Sequence, residues 1–243
     1  MKYRFSTLLL FVLVTQVLQA AEQALPPMEY GYPDQSVWTT KRDAAGQLEN
    51  PLLRLADVLF QRAGIEWTAQ PYPAKRLFRH LEEGVIPFTM LVRAPSLEKC
   101  CLFSARPVAT TELRIFRDSG TAPVENREEL VAQRVITIRG YSYGKLGRFI
   151  RDPQNRIEIQ EAQSHAAAFQ LFQRGRGDYV IDYTGPAAEV LSAHPIEGLT
   201  SDLYRKLDVY LVLNKSYPDA VNLMKRLERV IDTMDVPAIL AGG

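Results

Sequence analysis

Apolar residues recur at helical spacing in Leu52, Leu55, Ala56, Leu59 and Ala63, just after Asn50-Pro51 and just before Gly64. Asn caps a helix, Pro suits its first position and Gly ends it, so this stretch predicts one helix. Ile65 to Tyr72 reads as a strand, and Pro73 opens a second helix carrying Leu77, Phe78 and Leu81 up to Gly84. Val85 to Val92 is a near-continuous apolar run, the pattern of a strand covered on both faces. Asn126 with Glu129 predicts a capping box and a short helix to about Gln133. Arg134 to Arg139 is a strand, Ser142 to Ile150 a helix and Arg156 to Ile159 a strand. Ser164 caps a helix through Phe172, and a strand runs from Asp178 to Tyr183. A helix near Pro186 to Ala193 and a strand from Leu207 to Leu213 follow. Pro218 opens a long helix with Val221, Met224, Leu227, Val230 and Ile231 on one side.

This alternation predicts an α/β fold whose sheets are mostly parallel and flanked by helices. Two stretches interrupt it: Ala105 to Glu125, with Pro107, Gly120 and Pro123, and His194 to Arg205. They read as two crossings between two lobes. Residues 22–114 and 205–243 then form a discontinuous first lobe and residues 115–204 the second.

A different segment precedes the alternation. Lys2 and Arg4 stand before an apolar run from Leu8 to Leu18, and Gln19-Ala20-Ala21 follows it. That is the layout of a secretory signal peptide over residues 1–21, cut after Ala20 or Ala21. The run is shorter than the roughly 20 residues a membrane span needs. The mature chain is therefore expected in the periplasm, without insertion into a membrane and with no Cys at the cut to carry a lipid. With 47% hydrophobic and 23% charged residues the composition is globular, which excludes disordered, collagen-like and disulfide-stapled chains. Removing Lys2 and Arg4 turns 29 cations against 28 anions into 27 against 28. No overall basic field remains to hold nucleic acid.

Several residues are candidates for chemistry. Gly140-Tyr141-Ser142-Tyr143-Gly144 fits G-x-S-x-G between a strand and a helix, and Asp182 and His194 follow in the order of a hydrolase triad. The same turn also suits a small carboxylate, because amides at a helix start point outward and Ser142 adds a hydroxyl. It reads equally as a plain turn with Ser142 as N-cap. Asp182 lies near the carboxyl end of a short apolar strand, where ligands of open α/β sheets sit. There it either meets a ligand ammonium or caps the next helix. Arg93 ends the Val85–Val92 run and offers a fork for a carboxylate, or is a solvated strand end. Tyr30, Tyr32 and Trp38, placed in the first loop, either stack on a ligand or cover a lobe edge. Lys75 and Arg76 occupy a helical first turn, which disfavours cations unless an anion is near; a solvated face is the plainer reading. Cys100 and Cys101 are neighbours, which makes a disulfide between them strained, and they read as two semi-buried thiols. His80, His165 and His194 lie far apart, and no spacing suggests a metal site or a phosphate loop.

A series of short motifs follows one order along the chain. Pro26-Pro27-Met28-Glu29-Tyr30 resembles an opening strand end, and Ala45-Gly46-Gln47-Leu48 a D-G-x-x-x-G region with Asn50 where Gly is common. Pro73-Ala74-Lys75-Arg76 and Leu81-Glu82-Glu83-Gly84 resemble a P-x-x-R…L-x-x-G stretch, and Phe103-Ser104 an F-S before a lobe crossing. Gly140 to Gly144 is similar to a G-x-S/T loop, and Leu171 to Asp178 with Asp182 to L-x-x-G-R-x-D…D. From Pro26 to Met234 this order resembles the extracellular solute-binding proteins of family 3, the amino-acid-type periplasmic binding proteins, in a divergent form.

The resemblance implies a type II two-lobe fold with two hinge crossings, closing on a small polar solute, an amino acid or related carboxylate. It implies an ABC transporter or a membrane sensor as the recipient, a monomer, and no cofactor, metal or catalytic residue. With the residues read above, the expected ligand-binding set is Tyr30, Arg93, Tyr141, Ser142, Tyr143 and Asp182. Ser142 and the amides beside it would receive a carboxylate and Asp182 an ammonium. The family's carboxylate-binding Arg aligns with Leu97 here, leaving Arg93 as its substitute, and Val85-Ile86-Pro87 replaces an Asp often found after the L-x-x-G helix. Two other classes stay open. One is a periplasmic enzyme on the same scaffold, dehydratase-like or a Ser142-dependent hydrolase; the other is a redox-responsive interaction protein using the two thiols.

Overall fold

The structure, a computed structural model, describes residues 26–242, so the leader expected over residues 1–21 lies outside the described residues. Nine strands and seven α-helices follow in the described chain. They are β1 (Met28–Pro33), α1 (Pro51–Ala63), β2 (Trp67–Tyr72), α2 (Ala74–Glu82), β3 (Phe88–Val92), β4 (Cys101–Phe103) and β5 (Ala109–Asp118). Then come β6 (Arg134–Ile138), α3 (Gly144–Ile150), β7 (Glu158–Ala162), α4 (His165–Gln173), β8 (Tyr179–Tyr183) and α5 (Thr184–Ala193). The last are β9 (Leu199–Asn214), α6 (Ala220–Ile231) and α7 (Val236–Ala241).

Local chemistry explains most boundaries. Asn50 Oδ1 accepts from Leu52 N at 3.0 Å, Pro51 opens α1, and Gly64 ends it at φ 60°. Ser164 Oγ accepts from Ala167 N at 3.2 Å at the start of α4. The capping box of Asn126 and Glu129 forms, but on a single 3₁₀ turn, Arg127–Leu130, rather than a helix to Gln133. The strand expected from Val85 begins at Phe88 instead, because Pro87 lacks an amide for the ladder and Val85 is exposed. Tyr30 and Tyr32 belong to β1 and not to a loop.

The strand order is β2-β1-β3-β9-β5-β8-β6-β7, with β4 on β9. Parallel pairs stand at both ends, β1 with β2 and β3, and β6 with β7 and β8. Between them β5 and β9 run antiparallel, from Ala109 opposite Val209 to Asp118 opposite Leu199. Both interruptions expected as irregular crossings are thus largely these two strands. Pro107, Gly120 and Pro123 flank β5 without entering it, and its charged alternate positions disguise a strand whose other face is buried. Their ladder slips by one residue at Leu113/Arg114, a bulge that bends the crossing.

The core divides at this crossing. One cluster joins β1, β3, α1, α6 and the end of β9, including Tyr30, Leu55, Phe60, Phe88 and Leu211, and extends to Ala109 and Val209. A smaller cluster under α2, with Leu77, Leu81, Ile86 and Val212, covers the opposite sheet face. The third begins at Leu113 and holds β6, β8, α4 and α5 around Ile136, Tyr143, Phe169 and Ile181. Fully burying one such aliphatic or aromatic side chain contributes roughly 1.5–3 kcal/mol, so each lobe has its own source of stability.

Candidate functional site

A cavity of about 500 Å³ opens where the two cores part. Thr111, Leu207 and Val209 of the crossing strands form its floor. Tyr30, Leu52, Met90 and the start of α2 line the side of the first lobe, and Gly140, Tyr141, Ser142 and Tyr183 the side of the second. In an α/β sheet this is the region beyond the strand ends where ligands gather.

The segment after β1 bridges the cavity mouth. Val37 packs on the core of the second lobe while its neighbour Trp38 packs on that of the first. Glu189 of α5 accepts from Thr39 Oγ1 at 2.5 Å, Thr40 N at 2.6 Å and Thr40 Oγ1 at 2.6 Å. Burial pushes this carboxyl up, but the Thr39 and Thr40 bonds outweigh it and hold Glu189 below its usual range. Gly185 lets the Trp38 carbonyl sit against α5, where a Cβ would collide with that backbone oxygen. Gly185→Ala is therefore expected to cost about 1–3 kcal/mol, read from urea unfolding. An unchanged midpoint would show that this segment yields freely.

Behind the second wall lies a buried polar chain. Tyr141 donates its hydroxyl to the Ser36 carbonyl and meets His165 Nε2 at 2.9 Å. His165 Nδ1 meets the Asp182 carboxylate at 2.8 and 2.9 Å, and Tyr183 N donates to the same carboxylate at 2.7 Å. Hydrogen-bond roles follow from counting. A carbonyl only accepts, so the Tyr141 proton goes to Ser36, and Nε2 must bring its own proton to the Tyr141 oxygen. A second proton then lies between Nδ1 and Asp182. The pair holds two protons and is neutral overall, which suits a site where Asp182 is 0% exposed. Burial raises the Asp182 carboxyl above its usual range, against the opposing pull of His165 and the Tyr183 amide. Burial, with Asp182 nearby, likewise raises the Tyr141 hydroxyl.

Of the six residues singled out in the sequence, Tyr30, Tyr141 and Ser142 line the cavity, and Arg93, Tyr143 and Asp182 are not among its lining residues. Arg93 stands over the rings of Phe103 at 4.9 Å and Tyr210 at 5.0 Å, so cation–π contact holds it away from the cleft. Asp182 is spent on His165. Tyr143 is buried in the second core, where its hydroxyl accepts from Ile138 N at 2.8 Å and donates to Ile181 O at 3.1 Å. That anchoring holds Tyr143 at φ 50°, a left-handed conformation costing roughly 1–2 kcal/mol for a residue with a Cβ. It also moves the helix start to Gly144, so Tyr143, not Ser142, is the N-cap of α3. Ser142 Oγ is left 3.5 Å from Gly144 N. The hydrolase order is not assembled either: His165, and not His194, takes Asp182, while His194 is exposed at the end of α5.

Sequence reasoning missed His165, Glu189, Phe78 and Ser36. The only local trace of His165 was its position directly after the capping Ser164. Cys100 and Cys101 lie away from the cleft, in the cluster under α2, with their sulfurs 3.2 Å apart. Burial, then the Cys100 thiol, pushes Cys101 up to about 12. A thiol reagent at neutral pH is expected to spare Cys101 until the chain unfolds, whereas rapid native modification of both thiols would return a redox role to them.

No family profile matches the sequence, and no curated protein matches it. Solved structures do. A histidine kinase sensor domain with similarity to periplasmic binding proteins superposes with a TM-score of 0.68 at 14% identity, over 90% of this chain and 96% of that one. The chain has the periplasmic-binding-protein fold. The same fold is seen in a probable amino-acid ABC transporter extracellular-binding protein, ytmK, from Bacillus subtilis, with a TM-score of 0.66, 18% identity, and coverage of 90% and 96%. An ancestral arginine-binding protein bound to arginine matches with a TM-score of 0.65 at 15% identity, covering 89% of this chain and 95% of that one. The binding-protein fold is the one the ordered motifs implied.

Proposed function

We propose that the chain is a periplasmic solute-binding protein that holds a small organic solute between its lobes, without catalysis, and presents it to an ABC transporter or a membrane sensor. The observation that carries this reading is the cavity itself: two separate cores wall it, and two crossing strands floor it. A rotation about such a floor opens and closes the cavity while each core stays packed. Similar structures include one bound to arginine and one that is a kinase sensor domain, which supports a small carboxylate-bearing solute and leaves both recipients as candidates.

Calorimetry and thermal shift against amino acids and organic acids test the reading. A true ligand at a hundred times its Kd stabilises by about 2.7 kcal/mol, a rise of roughly 5–10 °C for a chain of this size. Silence across both panels would remove the proposal. The enzymatic alternative needs a base at Ser142, and His165 gives its Nε2 to Tyr141 instead. Turnover of any small carboxylate that vanishes in Ser142→Ala while folding persists would restore it.

A further inference from the structure

We propose that the cleft takes an amphipathic organic anion: a ring-bearing acid whose charge rests at the start of α2 and whose apolar body lies between aromatic walls. This narrows the cleft reading above and rests on it. Among the described residues that line the cavity, Asp34 and Lys75 are the two charged ones. The groups that a zwitterionic amino acid was expected to use are engaged elsewhere, Asp182 with His165 and Arg93 over Phe103 and Tyr210.

The donors that remain converge on an anion. Pro73, Ala74 and Lys75 of the α2 start line the cavity. This helix has no side-chain cap and no acidic residue in its first turn. The amides of Arg76 and Leu77 are taken by the Pro73 carbonyl, and those of Ala74 and Lys75 precede them with no such bond. Lys75 and Arg76 in that turn stand against the helix dipole, and a bound anion turns that repulsion into a three-part site of amides, dipole and ammonium.

A second feature asks independently for a ligand. Tyr30 is 0% exposed, lines the same cavity, and its hydroxyl has no hydrogen-bond partner among the described residues. Asn50 is the neighbouring side chain that acts on it, through an amide that stays short of bonding geometry. A buried hydroxyl left unpaired is costly, and a ligand oxygen would satisfy it. Around these donors the walls are Trp38, Phe78, Tyr141, Tyr183, Leu52 and Met90. A charged or strongly polar side chain would be desolvated there without compensation, whereas a ring would stack.

The test is calorimetry on the mature chain with indole-3-acetate and naphthalene-1-acetate, the uncharged indole-3-acetamide, and L-arginine, L-glutamine and L-glutamate. The two acids are expected to bind and the amide to bind about tenfold more weakly, with no saturation by the amino acids. Lys75→Gln should weaken the acids about tenfold and leave the amide unchanged. Tyr30→Phe should weaken acids and amide alike, and Asp34→Asn, which removes a like charge from the cavity, should leave the acids bound at least as tightly. Each variant is first matched to the parent by melting temperature and circular dichroism. Amide binding equal to acid binding, or acid binding indifferent to Lys75→Gln or lost in Asp34→Asn, would overturn the anion site. Amino acids binding more tightly than the aryl acids would overturn the ligand class while the cleft reading stands. No binding by either group would end both.

Discussion

Replacing His165 by alanine is expected to lower the unfolding free energy by about 3–5 kcal/mol, the cost typical of breaking a buried ion-paired network from one side. The imidazole is the only side chain that meets the Asp182 carboxylate among the described residues, and the carboxylate is wholly enclosed. Without the ring, Asp182 keeps the Tyr183 amide alone, and Tyr141 loses the donor on its oxygen. Urea unfolding at mildly acidic pH measures the loss. A change under about 1 kcal/mol would mean that Asp182 sits there protonated and content with the backbone, and that the ring merely fills space.

The second large effect is on pH dependence. The folded Asp182–His165 pair holds two protons, as the bond to Ser36 requires. Unfolded, an aspartate and a histidine together hold one above about pH 6.5. Folding on the alkaline side therefore takes up a proton, and stability falls there by up to about 1.4 kcal/mol per pH unit. Asp182 taken alone has the same sign. Its carboxyl is raised in the folded chain, so its contribution is complete below the ordinary carboxylate range and is lost as pH climbs through the folded value. Asp202 and Asp178 act oppositely: Arg117 and Arg134 hold them below their usual range, so their contributions are present at neutral pH and lost on acidification. The greatest stability should thus lie in mildly acidic solution. Asp182→Asn removes the shared proton and should flatten the alkaline limb. Urea midpoints from pH 5 to 9 decide this, and a parent curve that is flat or rising across that range would refute the two-proton assignment.

Much of the scaffold was legible because its signals are local. Asn50-Pro51 and Gly64 bracket α1, and Ser164 starts α4, through contacts spanning only a few residues. The crossing strands were not legible. β5 and β9 carry Glu112, Arg114, Arg117, Asp202, Arg205 and Lys206 on half-buried or exposed positions, so hydropathy sees a polar gap where pairing makes a ladder. The cleft was half legible for the same reason. Ser142 and Tyr141 sit on a turn that the strand-to-helix context placed correctly in the chain. Arg93 and Asp182 depend on partners, Tyr210 and His165, that are distant in sequence and share no spacing rule with them. Placement at a strand end says that a side chain is near the cleft, and only its neighbours decide whether it turns inward.

The bridging segment from Ser36 to Thr40 has a kinetic corollary. It is fastened to the second lobe by Tyr141, which also lines the cavity, and by Glu189, whose bonds to Thr39 and Thr40 involve none of the lining residues. Widening the gap by rotation about β5 and β9 must rupture these fastenings first, whatever lies inside. Entry and escape then share one barrier, set in part by Thr39, Thr40 and Glu189, which are not among the residues lining the cavity. Residence time and equilibrium affinity become separately adjustable, one through the clasp and the other through the walls.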